Sequence, residues 1–139
     1  MKILICGAGS IGKRHIANSL NLKLDVLVWR KRINYRNDLK KFKNLKIFND
    51  LDTAINLSDC VIVATSTVDH DLIISKVIKF KKPLYIEKPI SNNLRIINKL
   101  KKYNKKNVIH NGFQFRYHQN LIFFKKKINN KFLKSFFFF

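Results

Sequence analysis

This sequence has few residues that could staple, kink or neutralise it. It carries two cysteines, two prolines, four glycines and eight acidic residues against 29 Lys and Arg. Two cysteines, Cys6 and Cys60, with no Cys-x-x-Cys pair, exclude a disulfide-stapled secreted scaffold. Each lies in an apolar stretch, so both are expected to be buried free thiols in a reducing cytoplasm. No His and Cys spacing suits a bound ion, and no metal is expected. No apolar run approaches the roughly 20 residues a membrane helix needs, so no membrane partner is expected. The opening "MKILIC" breaks at Gly7, too short for the apolar region of a secretory signal. The expected location is cytoplasmic.

The shortage of acid leaves a net charge of +21. Dense Lys and Arg can neutralise phosphates, which raises a nucleic-acid partner. The cations are mostly Lys, however, and they travel with Asn, Ile and Phe; these four types fill about half the chain, while Ala occurs four times. All four have A- and T-rich codons, so base composition accounts for the excess. The cations are dispersed and no nucleic-acid motif accompanies them, so nucleic acid is not the expected partner.

At 139 residues the chain suits one domain with a real core. Its first half alternates between two hydrophobic periods. Strands are expected at 2–6, 24–29, 45–48, 60–65 and 83–87, with a further extended segment at 107–115. Helices are expected at 11–22, 33–44, 49–58, 69–80, 92–103 and around 119–128. On the first, Ile11, His15, Ile16 and Leu20 share one side. Asn49 or Asp50 is expected to cap the third helix and Ser91 the fifth. The stretch "CVIVAT" is a continuous apolar run of the kind parallel sheets bury on both faces. Strand and helix in alternation imply an α/β fold, a doubly wound parallel sheet of the Rossmann type.

Behind the first strand stands "GAGSIGKRH", residues 7–15, with Gly7, Gly9 and Gly12 in the pattern G-x-G-x-x-G. Alone, this pattern fits a tight turn as well as a phosphate cradle. Its place between a strand and a helix decides for a dinucleotide cradle. Gly7 permits the turn, Gly9 lets the backbone approach a pyrophosphate, and Gly12 lets the helix lie close on the strand. The amides of Ser10 and Ile11 then face the phosphates at the positive end of the helix dipole.

An NAD site usually has an acid at the end of the second strand to bond the ribose hydroxyls. Here that region reads "WRKR", Trp29 to Arg32, and Asp25 lies at the wrong end of the strand. Arg30 and Arg32 either grip a 2′-phosphate or form a solvated basic loop. The first reading predicts NADP(H) over NAD(H).

A second motif, "YIEKPIS" (85–91), ends the fifth strand on the same edge as the glycines. Pro89 has no amide hydrogen and suits a strand terminus, where the X-Pro bond can be cis. From spacing alone, Lys88 reads equally as an ammonium aimed at a nicotinamide and a substrate hydroxyl, or as part of a charged turn.

With "GAGSIGKRH" (7–15), "VIVATSTVDH" (61–70), "IEKPIS" (86–91) and "NGFQFRYHQNL" (111–121) in this order, the chain resembles the Gfo/Idh/MocA oxidoreductases, over about residues 1–125. That family includes glucose–fructose oxidoreductase and inositol dehydrogenase. The resemblance implies that Thr65, Ser66 and Thr67 form a loop along the cofactor, with Ser66 where a Pro is common. It implies that Glu87 lies near the nicotinamide ribose and that Lys88 is the active-site lysine. His70 matches a frequent family histidine, in loop positioning or in chemistry. Arg116 and His118 lie in the stretch leading to a second domain. The implied chemistry is hydride transfer between nicotinamide and a sugar, polyol or related substrate, with a His and an Asp drawn from that second domain.

After the last expected helix the chain reads "NKFLKSFFFF". Residues 1–118 are expected to form the dinucleotide-binding domain and 119–139 the start of a truncated substrate domain, leaving the chain inactive alone. Four terminal phenylalanines are an aggregation liability if exposed, or an interface with a partner chain or second copy if covered. Residues 79–139 hold 16 Lys or Arg and one acid, Glu87, and such like charge opposes compaction. The alternative function is a non-catalytic module that binds or senses a nucleotide within a complex.

Overall fold

Six strands form at Lys2–Cys6 (β1), Asp25–Trp29 (β2), Lys46–Phe48 (β3), Cys60–Val63 (β4), Leu84–Ile86 (β5) and Ile109–Asn111 (β6). Helices occupy Ser10–Asn21 (α1), Leu51–Leu57 (α2), Thr67–Lys79 (α3), Leu94–Asn104 (α4) and Gln119–Lys127 (α5), with a 3-10 turn at Gln114–Tyr117. The structure, a computed structural model, describes residues 1–31, 38–104 and 107–127. The strands build one sheet in the order β3-β2-β1-β4-β5-β6, and every pairing is parallel. This is the doubly wound Rossmann arrangement. The order reverses between β1 and β4, so a crevice opens there at the carboxyl edge.

Side-chain alternation along the strands makes two cores. Leu4, Cys6, Leu27, Trp29, Val61, Val63, Leu84 and Ile86 face one side, where they meet Ala54 and Ile55 of α2, Ile73, Ile74 and Val77 of α3, and Ile96 and Leu100 of α4. Ile3, Ile5, Val26 and Val28 face the other side, covered by Ile16 of α1 and by Leu39. Ile73, Ile74 and Val77 are fully buried, and each such side chain contributes about 1.5–3 kcal/mol.

Local signals explain the helix starts. The side chain of Asp50 accepts from the Thr53 amide at 2.8 Å and caps α2. At α4 the cap falls two residues beyond Ser91: Asn93 Oδ1 accepts from the Arg95 amide at 2.9 Å, while Ser91 Oγ accepts from the Asn93 amide at 2.9 Å. The strand expected at 60–65 ends at Val63, and the one expected at 107–115 spans only Ile109–Asn111 before the 3-10 turn.

The helix expected at 33–44 does not form across its described part; residues 33–37 lie outside the described residues. A short 3-10 turn at Asp38–Leu39 is followed by irregular turns, and Asn44 reverses the chain through φ 64° into β3. The described part, 38–44, offers only Leu39 and Phe42 for burial, too little for a helical apolar stripe, and Leu39 alone anchors fully, at 2% exposure. Ile11 also departs from its expected place, for it is 40% exposed while Ile16 is fully buried. Both cysteines are free, but only Cys6 is fully buried; Cys60 is partly exposed. Burial pushes both thiols above their ordinary range. The four terminal phenylalanines lie outside the described residues.

Candidate active site

Four loops leave the carboxyl edge at one level, because each continues the sheet ladder by one bond. The amide of Gly7 donates to Trp29 O at 3.0 Å, that of Ala64 to Cys6 O at 2.9 Å, that of Glu87 to Val63 O at 2.9 Å and that of Gly112 to Ile86 O at 2.8 Å. Together these loops wall a cavity of about 960 Å³. The glycine turn, Thr65 and Ser66, Glu87 and Lys88 all line it. Gly12, Thr67 and His70 do not, and Arg32 lies outside the described residues.

The glycine turn is built by close approach. Gly7 has φ 98°, and a Cβ there would stand 2.7 Å from the Ala64 carbonyl oxygen. A Cβ on Gly12 would collide with the Gly7 carbonyl oxygen, so α1 can lie on the turn only with glycine at that place. Gly9 differs: a Cβ there would meet nothing within 4 Å, so the space over it is open. Gly9 is also the N-cap of α1, with no capping side chain and no acid in the first turn. The first amides of α1, at Ser10 and Ile11, therefore stand beside the cavity with the positive end of the helix dipole. Among the described residues, four cations line the cavity (Arg14, Arg30, Lys31, Lys88) against two carboxylates (Asp69, Glu87). An open cradle, an uncapped helix and a cationic wall fit a dinucleotide pyrophosphate. Thr65 lines the cavity beside it, and its Oγ1 is buried with no hydrogen-bond partner among the described residues.

At the other end, His15 Nε2 lies 2.9 Å from Glu87 Oε1, and both side chains are 18% exposed. Tyr85 Oη donates to the same Glu87 oxygen at 3.5 Å. Burial, then the Glu87 charge, pushes the Tyr85 hydroxyl above its ordinary value. A Cβ on Gly112 would come within 2.9 Å of Glu87 Oε2, so a glycine there makes room for the carboxylate. Lys88 follows, exposed to the cavity, and its bond to Pro89 is cis.

His70 is buried behind this wall, at 1% exposure. Its ring nitrogens face Thr65 O at 3.2 Å and Ile90 O at 3.1 Å, which ties the loop after β4 to the loop after β5. That geometry suits loop positioning. At the end of β2, Arg30 Nη1 and Nη2 reach Asp38 Oδ1 and Oδ2 at 2.7 and 3.4 Å, and Lys13 Nζ reaches Asp38 Oδ2 at 3.1 Å. Lys31 pairs with Asp69 at 3.2 Å. Lys13 and His15 close the 7–15 motif and Gly112 sits in the 111–121 motif without a site role of their own, and Asp38 lies in no motif. Only the spacing of His15 three residues beyond Gly12, on the helix that starts at the cradle, points toward the cavity. Among the described residues, no group of three or more His, Cys, Asp or Glu could hold a metal ion, and no helix is long and apolar enough to cross a membrane.

Sheet order, cradle and cavity define a dinucleotide-binding α/β domain. The family model described as "Oxidoreductase family, NAD-binding Rossmann fold" (GFO_IDH_MocA) matches residues 1–112. The chain belongs to the Gfo/Idh/MocA oxidoreductase family, as the order of its four motifs implied, and its residues 1–112 match that family's NAD-binding Rossmann domain. No curated protein matches it. Among solved structures, it is similar to myo-inositol dehydrogenase from Lactobacillus casei in complex with NAD(H) and myo-inositol, at 27% identity and a TM-score of 0.79. It is also similar to a probable dehydrogenase from Thermotoga maritima, at 28% identity and a TM-score of 0.75. Each match covers 91% of this chain and 40% of the other. A fold likeness extends to biliverdin reductase in complex with biliverdin and NADP+ from Synechocystis sp. PCC 6803, at 19% identity and a TM-score of 0.69, over 79% of this chain and 37% of that one.

Proposed function

We propose that this chain binds NADP(H) in preference to NAD(H) and serves hydride transfer to or from a sugar, polyol or related hydroxyl or carbonyl compound. In this reading residues 1–118 form the coenzyme domain and 119–139 lead toward the substrate domain. The observation that carries it is the single cavity lined by the uncapped glycine turn at one end and Lys88 at the other. When bound, the nicotinamide supplies or accepts the hydride. The amides of Ser10 and Ile11 hold the pyrophosphate, Thr65 and Ser66 bound the coenzyme's flank, and Glu87 stands at the nicotinamide ribose. Lys88 directs its ammonium hydrogens at the substrate oxygen and stabilises charge there as the C–H bond forms or breaks. The preference for NADP(H) rests on Arg30, a guanidinium where an NAD site keeps an acid.

The relatives support the substrate class only at the level of their own names: the Lactobacillus casei protein is a myo-inositol dehydrogenase. Calorimetric titration of the chain with NADP+ and NAD+ tests the coenzyme assignment. Saturable binding with NADP+ tighter is expected; equal or tighter NAD+ overturns the preference, and no binding of either overturns the reading.

A further inference from the structure

A carboxylate pairs with the cation that lines the cavity at the end of β2. In this sheet order the adenosine ribose lies beside the end of β2, where an acid normally bonds its hydroxyls. Here the end of β2 carries Arg30, and the acid arrives from eight residues further on, at Asp38. Asp38 does not line the cavity but takes two guanidinium hydrogens from Arg30, which does. Lys13 of α1 supplies a second cation to the same carboxylate, at 3.1 Å.

The cluster is built into the fold from three elements. Arg30 follows β2 directly, and its amide donates to Phe48 O of β3 at 3.1 Å. Lys13 follows Gly12, which lies so close to the Gly7 carbonyl that a Cβ would not fit. Asp38 is fixed by its neighbour Leu39, buried in the core between α1 and the sheet. Partial desolvation pulls the Asp38 carboxyl up, but the hydrogen bonds from Arg30 and Lys13 outweigh it and hold the group below the ordinary carboxylate range. It is therefore ionised at neutral pH.

Charge accounting then gives the consequence. Arg30 and Lys13 bring two positive charges and Asp38 removes one. NAD(H) presents a neutral 2′-hydroxyl toward Arg30, the member of the cluster that lines the cavity, whereas NADP(H) presents a phosphate of about −1.5 to −2. A fixed carboxylate on the same guanidinium opposes the second and hardly affects the first.

We infer that Asp38 is a specificity-determining residue, which limits the preference for NADP(H) over NAD(H) by offsetting the charge of Arg30, the cation that lines the cavity at the end of β2. The inference rests on the coenzyme reading proposed above. Its test is a titration of wild type, Asp38→Asn and Lys13→Gln with NADP+ and NAD+, and with 2′-AMP and 5′-AMP as minimal probes. Asp38→Asn should tighten NADP+ and 2′-AMP about tenfold, the effect of one partly screened charge on a dianion. NAD+ and 5′-AMP should stay within about twofold of wild type. Lys13→Gln should move NADP+ the opposite way, and it serves alone should Asp38→Asn fail to fold. A wild type that binds, with its NADP+ to NAD+ ratio unmoved by either variant or shifted toward NAD+ by Asp38→Asn, overturns the role of Asp38 and leaves coenzyme binding standing. A wild type that binds neither coenzyme overturns both.

Discussion

His15 Nε2 and Glu87 Oε1 meet at 2.9 Å although 72 residues separate them. The contact joins the helix that begins at the glycine turn to the strand end that carries Lys88. It therefore sets the distance between the two halves of the cavity. The Tyr85 ring packs edge-on against His15, with centroids 5.3 Å apart, and stacks on His110 at 5.5 Å, so the imidazole is held on its side as well as at its tip.

Breaking that contact should cost stability. His15→Ala leaves the part-buried Glu87 carboxylate with only the long Tyr85 bond and its neighbour's amide. A hydrogen bond to a charged, part-buried group contributes about 1.5–3 kcal/mol, so a loss of that order is expected in urea unfolding. His15→Gln, which can still donate, should recover part of it. Equal stability of His15→Ala and wild type would show that the pair contributes nothing.

The three motif glycines should separate by role. Gly12→Ala drives a Cβ into the Gly7 carbonyl, a rigid backbone group, and should cost roughly 2–3 kcal/mol in chemical denaturation despite alanine's helix propensity. Gly9→Ala meets no atom and should cost at most about 1 kcal/mol, the ordinary penalty of alanine at an N-cap. Its methyl would fill the open cradle, so Gly9→Ala should abolish dinucleotide binding in a chain that remains folded. A Gly9→Ala variant that binds as wild type does would remove the pyrophosphate from this turn.

These contrasts also mark what is legible in the sequence. The cradle is local: strand, turn and helix lie within twenty residues, and close packing at Gly7 and Gly12 leaves glycine as the only fitting residue. The Asp50 cap is equally local. Asp38 is not, because nothing in "YRNDLKK" shows that Leu39 will be drawn into the core and swing its neighbour onto Arg30. The spacing of 33–44 reads as helix, but in the described part, 38–44, two apolar residues make no helical stripe and burial of Leu39 sets the path instead. Ile11 reads as core by its spacing with Ile16, yet the first turn of α1 overhangs the sheet edge and leaves it beside the cavity. Gly112 reads as part of a family motif, and only the fold shows that it makes room for Glu87.

Alkaline stability should report on Tyr103. Its hydroxyl donates to the Lys82 carbonyl at 2.8 Å, and burial raises its pKa above the ordinary 10.0. The folded state then binds the proton more tightly than the unfolded chain. This contribution is complete below about pH 10 and declines as pH rises through the raised value. Deprotonating Lys residues relieves charge repulsion over the same range, so the difference between wild type and Tyr103→Phe isolates the tyrosine. That difference should favour wild type by about 0.5–1.5 kcal/mol at neutral pH and shrink as pH rises past 10. A constant difference would contradict the assignment.

Lys88 should divide binding from chemistry. Its side chain is exposed to the cavity and no salt bridge among the described residues holds it, so Lys88→Ala should leave stability within about 0.5 kcal/mol of wild type. Coenzyme affinity should change little. In any assembly in which this chain turns over a substrate, kcat should fall by at least about a hundredfold, the lower range for a lost acid–base or electrostatic contact. Unchanged turnover would point instead to a module that binds nucleotide without catalysis.

The most direct measurement is a backbone NMR titration of the chain with NADP+. The account predicts that the amides of Gly9, Ser10 and Ile11 and those of Glu87 and Lys88 shift along one saturation curve, since one extended coenzyme touches both ends of the cavity. Shifts at the glycine turn alone, with Glu87 and Lys88 unmoved at saturation, would contradict it.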